Sequence, residues 1–456
     1  MRLPLPSSAH LSALAAGGVL VAACGVFEPK VPSRAPLAEQ WLTRSKLSYQ
    51  AGDFEDAYDA GKHALAVAKN DPDIRLAAAN AALARLEFSE AALLTEGLAT
   101  SDAQGVRGRA LWYAGDLEAA ADALDAMLAD PKVKDPWARD ISRLARLGHG
   151  RHPFRIEGGI VAAVPMPKGI AQVDLGAAHV VPCELEGERI LALIATGVSE
   201  VVVDASSRRE PAWVSLRFGD RIEVNDVPAL AVDLTPISRQ LGVPIKALLG
   251  VNFLRHVHAT FDRRGDQFVI RKQDATPPPD ASRVPVWYVR GGGMTFRASV
   301  TIKEGGETPL LIDSGRFFPL ALEEIAWKKA GIDPKALPLV GEVANVRRGN
   351  LPTFRLGGFD LAKIPAFYGI ELGEAHKALG VDFGGVVGAE LLTYFRVTFA
   401  DEGRFVWMEV DPGLVAPPSM GPTAPSPSSA PRSSPVAPRP APSGSSERVR
   451  APRGTR

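Results

Sequence analysis

The sequence predicts two kinds of structure in series: a short block of helical repeats, then a β-rich unit present in two copies. Three observations carry this. A motif recurs at a 34-residue interval between residues 38 and 148. The hydrophobic pattern then changes from helical to alternating. From residue 155 to 410 one order of segments occurs twice. With 456 residues, 46% apolar and 23% charged, the chain has enough apolar material for several cores.

The helical block is read from Ala51-Gly52-Asp53-Phe54-Glu55-Asp56-Ala57. At 34 residues further, Phe88 stands on Phe54 and Ala91 on Ala57. Ala114-Gly115-Asp116-Leu117 repeats the turn a third time, Leu117 standing 29 residues after Phe88. Glycine permits the tight inter-helix turn, and alanines let paired helices approach. With Trp41 upstream, this pattern resembles tetratricopeptide repeats, with Trp137 to Leu147 as the closing helix. The resemblance implies a protein-binding groove. A spacer that holds the next domain away from a surface is the other reading.

The β-rich unit begins with Val180 to Ile194, a hairpin turning at Gly187. Ala195-Thr196-Gly197 follows, then the apolar strand Val201-Val202-Val203. In the second copy, the strand from Phe296 and a Gly305-Gly306 turn lead to Leu310-Leu311-Ile312-Asp313-Ser314-Gly315. Downstream, Leu248-Leu249-Gly250 matches Val386-Val387-Gly388, and Thr260-Phe261 matches Thr398-Phe399.

This order resembles the aspartic peptidases, both retropepsin-like single lobes and pepsin-like two-lobed chains. The resemblance implies a multidomain α plus all-β protein, with an acid-protease-like β-barrel domain of two lobes. It makes Asp313-Ser314-Gly315 a retained catalytic motif and Ala195-Thr196-Gly197 a degenerate one. Gly250 and Gly388 become cleft-supporting glycines. Arg316-Phe317 stands where the family has small residues. The family mechanism needs two carboxylates about 3 Å apart sharing one proton: one activates water and the other protonates the carbonyl oxygen. A methyl group at residue 195 can do neither. Three readings follow: a non-cleaving peptidase homologue that binds a polypeptide, an active dimer that brings together Asp313 of two chains, or a substitute acid. Glu200 and Asp204 are the nearby candidates for the last, each otherwise a solvated surface carboxylate. Asp313 itself is a base in an active assembly or a relic turn residue. A scaffold whose repeats do the work, with structural β-lobes, is the reading outside enzymology.

The N-terminus reads as an export signal. Leu11 to Ala23 is too short to span a bilayer. The run Leu20-Val21-Ala22-Ala23-Cys24-Gly25 resembles a bacterial lipobox, implying cleavage before Cys24 and lipidation of its thiol. An ordinary secretion signal is the other reading. Gly25 implies outer-membrane sorting, on its periplasmic face. The expected organisation is signal 1–23, tether 24–37, repeats 38–150, degenerate lobe 155–272, linker 273–283, second lobe 284–411 and a disordered tail 412–456.

Charge refines this. The formal net charge is zero, against a nucleic-acid partner. Residues 414–456 nevertheless carry six arginines and one glutamate, and residues 24–413 sum to −6. That tail has 11 prolines and nine serines, a composition that cannot offset its ordering entropy. No cofactor is implied. His256-Val257-His258 reads as strand filler rather than a metal pair, because Tyr394 and Arg396 occupy the matching positions. Gly291-Gly292-Gly293 lacks the helix and Lys-Ser/Thr of a phosphate loop and reads as a mobile hairpin turn. Trp213 reads as a half-buried strand aromatic or a flap residue over the cleft. Cys183 reads as a buried inert thiol. There is no His-Glu-x-x-His and no Gly-x-Ser-x-Gly.

Overall fold

Proline and aspartate set the starts of the helices in the N-terminal block. Asp53, Asp71, Asp116 and Asp135 each accept a backbone N–H of the helix that follows, and Pro36, Pro72 and Pro136 sit in first turns. The helices are α1 (Pro36–Gln50), α2 (Phe54–Val67), α3 (Pro72–Ala84), α4 (Phe88–Thr95), α5 (Ser101–Ala114), α6 (Leu117–Leu128) and α7 (Pro136–Leu147). The computed structural model describes residues 34–167, 172–173, 176–263, 265–301, 307–341, 345–371 and 379–410. The export signal, Cys24, the Gly305-Gly306 turn and the basic tail lie outside the described residues. Helix α1 begins at Pro36, inside the segment read as tether.

Alanine dominates the helix contacts, as the repeat pattern requires. Ala57, Ala79, Ala82, Ala91 and Ala110 are buried together, and a Cβ on Gly61 would stand 3.1 Å from the Ala78 backbone. The turns use left-handed residues: Gly52 at φ +69°, Leu86 at +65° and Gly115 at +84°. Leu86 pays strain where its repeats carry glycine. Its side chain is 5% exposed and joins the core of the β domain.

The first lobe contains β1 (Arg155–Gly158), β2 (Val161–Pro165), the ribbon β3 (Gln172–Val173) and β4 (Gly176–Ala177), β5 (Val180–Leu185), β6 (Glu188–Ile194), β7 (Val201–Asp204), β8 (Ala212–Phe218), β9 (Ile222–Val232), β10 (Ile245–Leu249), β11 (Thr260–Asp262) and β12 (Gln267–Arg271). The second contains β13 (Ser282–Pro285), β14 (Trp287–Val289), β15 (Gly293–Ser299), β16 (Glu307–Ile312), β17 (Leu320–Leu322), β18 (Arg347–Leu356), β19 (Phe359–Tyr368), β20 (Gly385–Val387), β21 (Phe395–Ala400) and β22 (Phe405–Val410).

The duplication is visible in strand order. One sheet runs β9-β7-β10-β6-β5 through its centre and the other β19-β17-β20-β16-β15. In each, the strand that leads into the triplet lies parallel to the strand that ends in glycine: Ile194 beside Leu249, and Ile312 beside Val387. β8 joins β5 to β9, and β18 joins β15 to β19, so both sheets curl toward barrels. A third sheet, β13-β22-β21-β11-β12-β2, is shared between the lobes. At its centre Thr260 pairs with Thr398, its own counterpart, and their hydroxyls are 2.8 Å apart.

The helical block lies against both lobes. At the first turn, Arg297 pairs with Asp53 at 2.6 Å, and Trp287 donates to Glu55 at 3.0 Å. Further along, Phe88 meets Arg255, which also donates to Glu402 O of the second lobe at 3.3 Å. At the far end, Trp213 donates to Leu144 O at 2.9 Å, and Trp112 donates to Glu200 at 3.3 Å. Trp213 is therefore a docking residue and not a flap tip. The glycine turn at 291–292 is also held: a Cβ on Gly291 would stand 2.3 Å from Tyr113, and one on Gly292 2.5 Å from Ser199. His256 ends the helix Val251–His256, its Nδ1 is 2.6 Å from Asn252 O, and its ring stacks on Phe154. His258 instead pairs with Asp274. His256 thus ends a helix and His258 lies in the turn after it, with separate partners, and neither is a strand residue.

Gly52 tests the docking. A Cβ there would meet Pro309 Cβ at 2.5 Å, and the residue is left-handed. Gly52→Ala is expected to lower stability by roughly 2 kcal/mol in urea unfolding, combining backbone strain with overpacking. Gly97, with φ +73° and open space around it, should lose less on the same substitution.

Candidate active-site cleft

The two triplets meet at the lobe junction through four reciprocal hydrogen bonds. Thr196 N donates to Ser314 Oγ at 3.0 Å, and Ser314 N donates to Thr196 Oγ1 at 3.0 Å. Each hydroxyl then donates across to the other lobe: Thr196 Oγ1 to Ile312 O at 3.0 Å and Ser314 Oγ to Ile194 O at 2.8 Å. Both residues are essentially buried, so these bonds replace water that neither backbone could reach.

Residues 195 and 313 occupy equivalent places. Ala195 N donates to Leu249 O at 3.1 Å, and Asp313 N donates to Val387 O at 2.9 Å. A Cβ on Gly315 would lie 3.0 Å from Asp313 Oδ1 and 3.7 Å from Ala195 Cβ. The methyl group and the carboxylate therefore flank the same point of one cleft. The triplet glycines make room: a Cβ on Gly197 would lie 2.3 Å from the Asp313 carboxyl carbon. Gly250 and Gly388 do the same one layer below. A Cβ on Gly250 would stand 2.1 Å from Glu200 O, and one on Gly388 2.0 Å from Phe318 O.

Asp313 accepts from Gly315 N at 3.0 Å and from Arg316 Nε at 3.4 Å. Removal from water raises its pKa on balance, against the pull of Arg316 and of the backbone donors of Gly315 and Gly197. Arg316 thus stands as a countercharge beside the Asp313 carboxylate.

The proposed substitute acids are corrected by the structure: neither is solvated and neither lines the Asp313 cavity. Glu200 is 1% exposed and accepts from Trp112 Nε1 at 3.3 Å and Asn252 Nδ2 at 3.4 Å. Burial pushes it up to about 7, against the pull of Trp112 and Arg255. Asp204 accepts from Leu234 N at 3.2 Å and Lys246 Nζ at 2.8 Å. Burial alone would raise it, but Lys246 and Ser206 bring it down to about 2. Cys183 is buried, and burial pushes its thiol up to about 12.

Above Asp313 lies a cavity of about 940 Å³. Its floor includes Gly197, Ser199, Asp313 and Arg316, while α3 and α5 supply Leu83, Val106, Arg109 and Tyr113. The helices are therefore the roof of the cleft. Sequence reasoning missed Arg109, Tyr113 and Arg290, which also reaches this cavity. Arg109 and Tyr113 fit an ordinary repeat helix, and no sequence signal places them over another domain.

Among solved structures, this chain is similar to the aspartic proteinase of Irpex lacteus at 12% identity, covering 55% of this chain and 97% of that one, with a TM-score of 0.35. The helical part is similar to the first TPR of Spaghetti (RPAP3) bound to an HSP90 peptide, at 17% identity over 24% of this chain and 91% of that one, with a TM-score of 0.23. It is also similar to the Arabidopsis OM64 TPR domain, at 16% identity over 24% of this chain and 95% of that one, with a TM-score of 0.23. No family model and no curated protein matches the chain. The fold stands on its own strand order and crossed hydrogen bonds: tetratricopeptide-like helices followed by an aspartic-proteinase-like β domain.

Two outcomes are expected. Ser314→Ala leaves Thr196 N and Ile194 O unpaired, at a cost of roughly 2–4 kcal/mol in urea unfolding. Glu200 has a folded pKa raised to about 7, from a usual value near 4.5. The folded state therefore holds the extra proton between those values, and stability falls as pH rises through that window. Glu200→Gln should flatten the fall in a series of melting temperatures between pH 4 and 8.

Proposed function

We propose that this chain is an exported, lipid-anchored cell-envelope protein whose β domain is a non-cleaving homologue of the aspartic peptidases. It holds a polypeptide segment in the cavity between its cleft and its helical repeats. The single observation that carries the reading is the intact reciprocal grip of Thr196 and Ser314 around a site with one carboxylate and one methyl group.

The chemistry follows from that pair. Peptide hydrolysis in this class needs one carboxylate to deprotonate water while another protonates the carbonyl oxygen. With Ala195 in place, Asp313 has no acidic partner, and Arg316 stabilises its ionised form. A carboxylate so held is a hydrogen-bond acceptor for the backbone N–H groups of a bound segment. Gly197 leaves a backbone edge at the floor, and the apolar side chains of α3 and α5 offer pockets above. The reading of an active dimer requires Asp313 of two chains to meet. The first lobe already fills the facing position with Thr196 and Gly197, bonded through the grip. The repeats do not act as a separate scaffold in this reading, because their α3 and α5 side chains line the same cavity as Asp313.

An unfolded casein-type substrate incubated with the protein from pH 3 to 8 is expected to stay intact while binding it. Cleavage abolished by Asp313→Asn would overturn the proposal. Ala195→Asp restores the second carboxylate in an otherwise complete junction. It is expected to produce cleavage at acidic pH that a statine-type transition-state mimic blocks. Incorporation of a palmitate analogue, lost in Cys24→Ala, checks the anchor.

A further inference from the structure

The charges around the cavity are unequal in how they are satisfied. Arg109 pairs with Asp135 at 2.6 Å and stacks over Trp137, and Arg316 pairs with Asp313. Two further cations, Lys134 on the α6–α7 loop and Arg290 on the β14–β15 turn, line the same cavity. Neither forms an ion pair among the described residues. Asp102, at the first turn of α5, is the remaining lining acid.

Arg290 is placed with effort. It is a non-glycine residue at φ +53°, and the turn behind it is pinned where Gly291 meets Tyr113 and Gly292 meets Ser199. A left-handed arginine costs free energy that most neighbouring conformations avoid. Here it carries a guanidinium to a wall already occupied by Arg109. Burial lowers the Arg109 pKa, Tyr113 and Asp135 oppose that, and repulsion from Arg290 adds to it. Two like charges beside a partly enclosed space, one of them unpaired, favour an anionic occupant. The rest of the wall is apolar: Leu83, Val106 and Met127 above, Val289 and Leu311 below. A bare anion leaves those surfaces uncovered. The chain's own C-terminal segment, with six arginines to one glutamate over 414–456, has the wrong sign.

We propose that the cavity selects a polypeptide segment bearing acidic side chains on an apolar frame, with Arg290 and Lys134 as the residues that read its negative charge. The site is composite, since Lys134 belongs to the helical block and Arg290 to the second lobe. The inference rests on the cleft being a polypeptide site and names the class of segment it takes.

Three fluorescein-labelled peptides of equal length test it with the full chain. Each alternates leucine with glutamate, glutamine or lysine, and binding is read by anisotropy. The glutamate peptide is expected to bind roughly tenfold more tightly than the glutamine peptide at low salt, a preference that shrinks at high salt. Arg290→Gln and Lys134→Gln are each expected to cut that preference roughly threefold or more, without changing the melting temperature or the affinity for the glutamine peptide. Equal binding of the glutamate and glutamine peptides would overturn this inference and leave polypeptide holding intact. Failure of all three peptides to bind would overturn both. Displacement of the glutamate peptide by inorganic phosphate or free glutamate, at matched anion concentration, would overturn the peptide class in favour of a simple anion site.

Discussion

The reciprocal hydrogen bonds between Thr196 and Ser314 hold the β domain together at its least forgiving point. Each lobe ends a parallel strand pair at this junction and exposes backbone groups that only the other lobe can satisfy. A hydroxyl on each side, donating to a carbonyl across the seam and accepting an amide, solves this without water. That constraint separates two roles within one triplet. The hydroxyl positions are structural and both are filled. The position before each takes no side-chain part in the grip, and carries a methyl group in one lobe and a carboxylate in the other. A methyl group at 195 therefore leaves the junction undisturbed, and Ala195 makes to Leu249 the backbone bond that Asp313 makes to Val387.

The helical block is tied to the same junction. Glu200 follows the first triplet by three residues and accepts from Trp112, while its backbone carbonyl lies against Gly250. Ser199 touches the glycine turn that carries Arg290. A contact at the roof is thus a few bonds from the floor. The repeats bring apolar and cationic side chains to a cleft whose own walls are narrow and glycine-rich.

Much of this was legible in the sequence, because two signals were periodic. The repeat interval located Gly52 and Gly115 at helix turns, and the duplicated order of segments located both triplets and both supporting glycines. The hairpin at Gly187 and the closing helix after Trp137 followed from the same patterns. What escaped was everything that depends on one block meeting another. Trp213 alternates correctly for a strand aromatic, yet its indole reaches a carbonyl of α7. Glu200 and Asp204 sit in or beside an aperiodic turn, so their spacing from Ala195 said nothing of direction. The turn at 291–293 looked free because glycine describes conformational permission, while its confinement comes from Tyr113 and Ser199. His256 and His258 were misplaced because the short helix before β11 has too few residues to show a period.

The two lobes meet through one shared sheet and the junction of Thr196 with Ser314, and the helical block spans both. Asp53 and Glu55 hold the second lobe, Trp112 and Leu144 hold the first, and Phe88 sits over the arginine between them. The repeats act as a splint. The placement of one lobe against the other is therefore set in part by a block that belongs to neither.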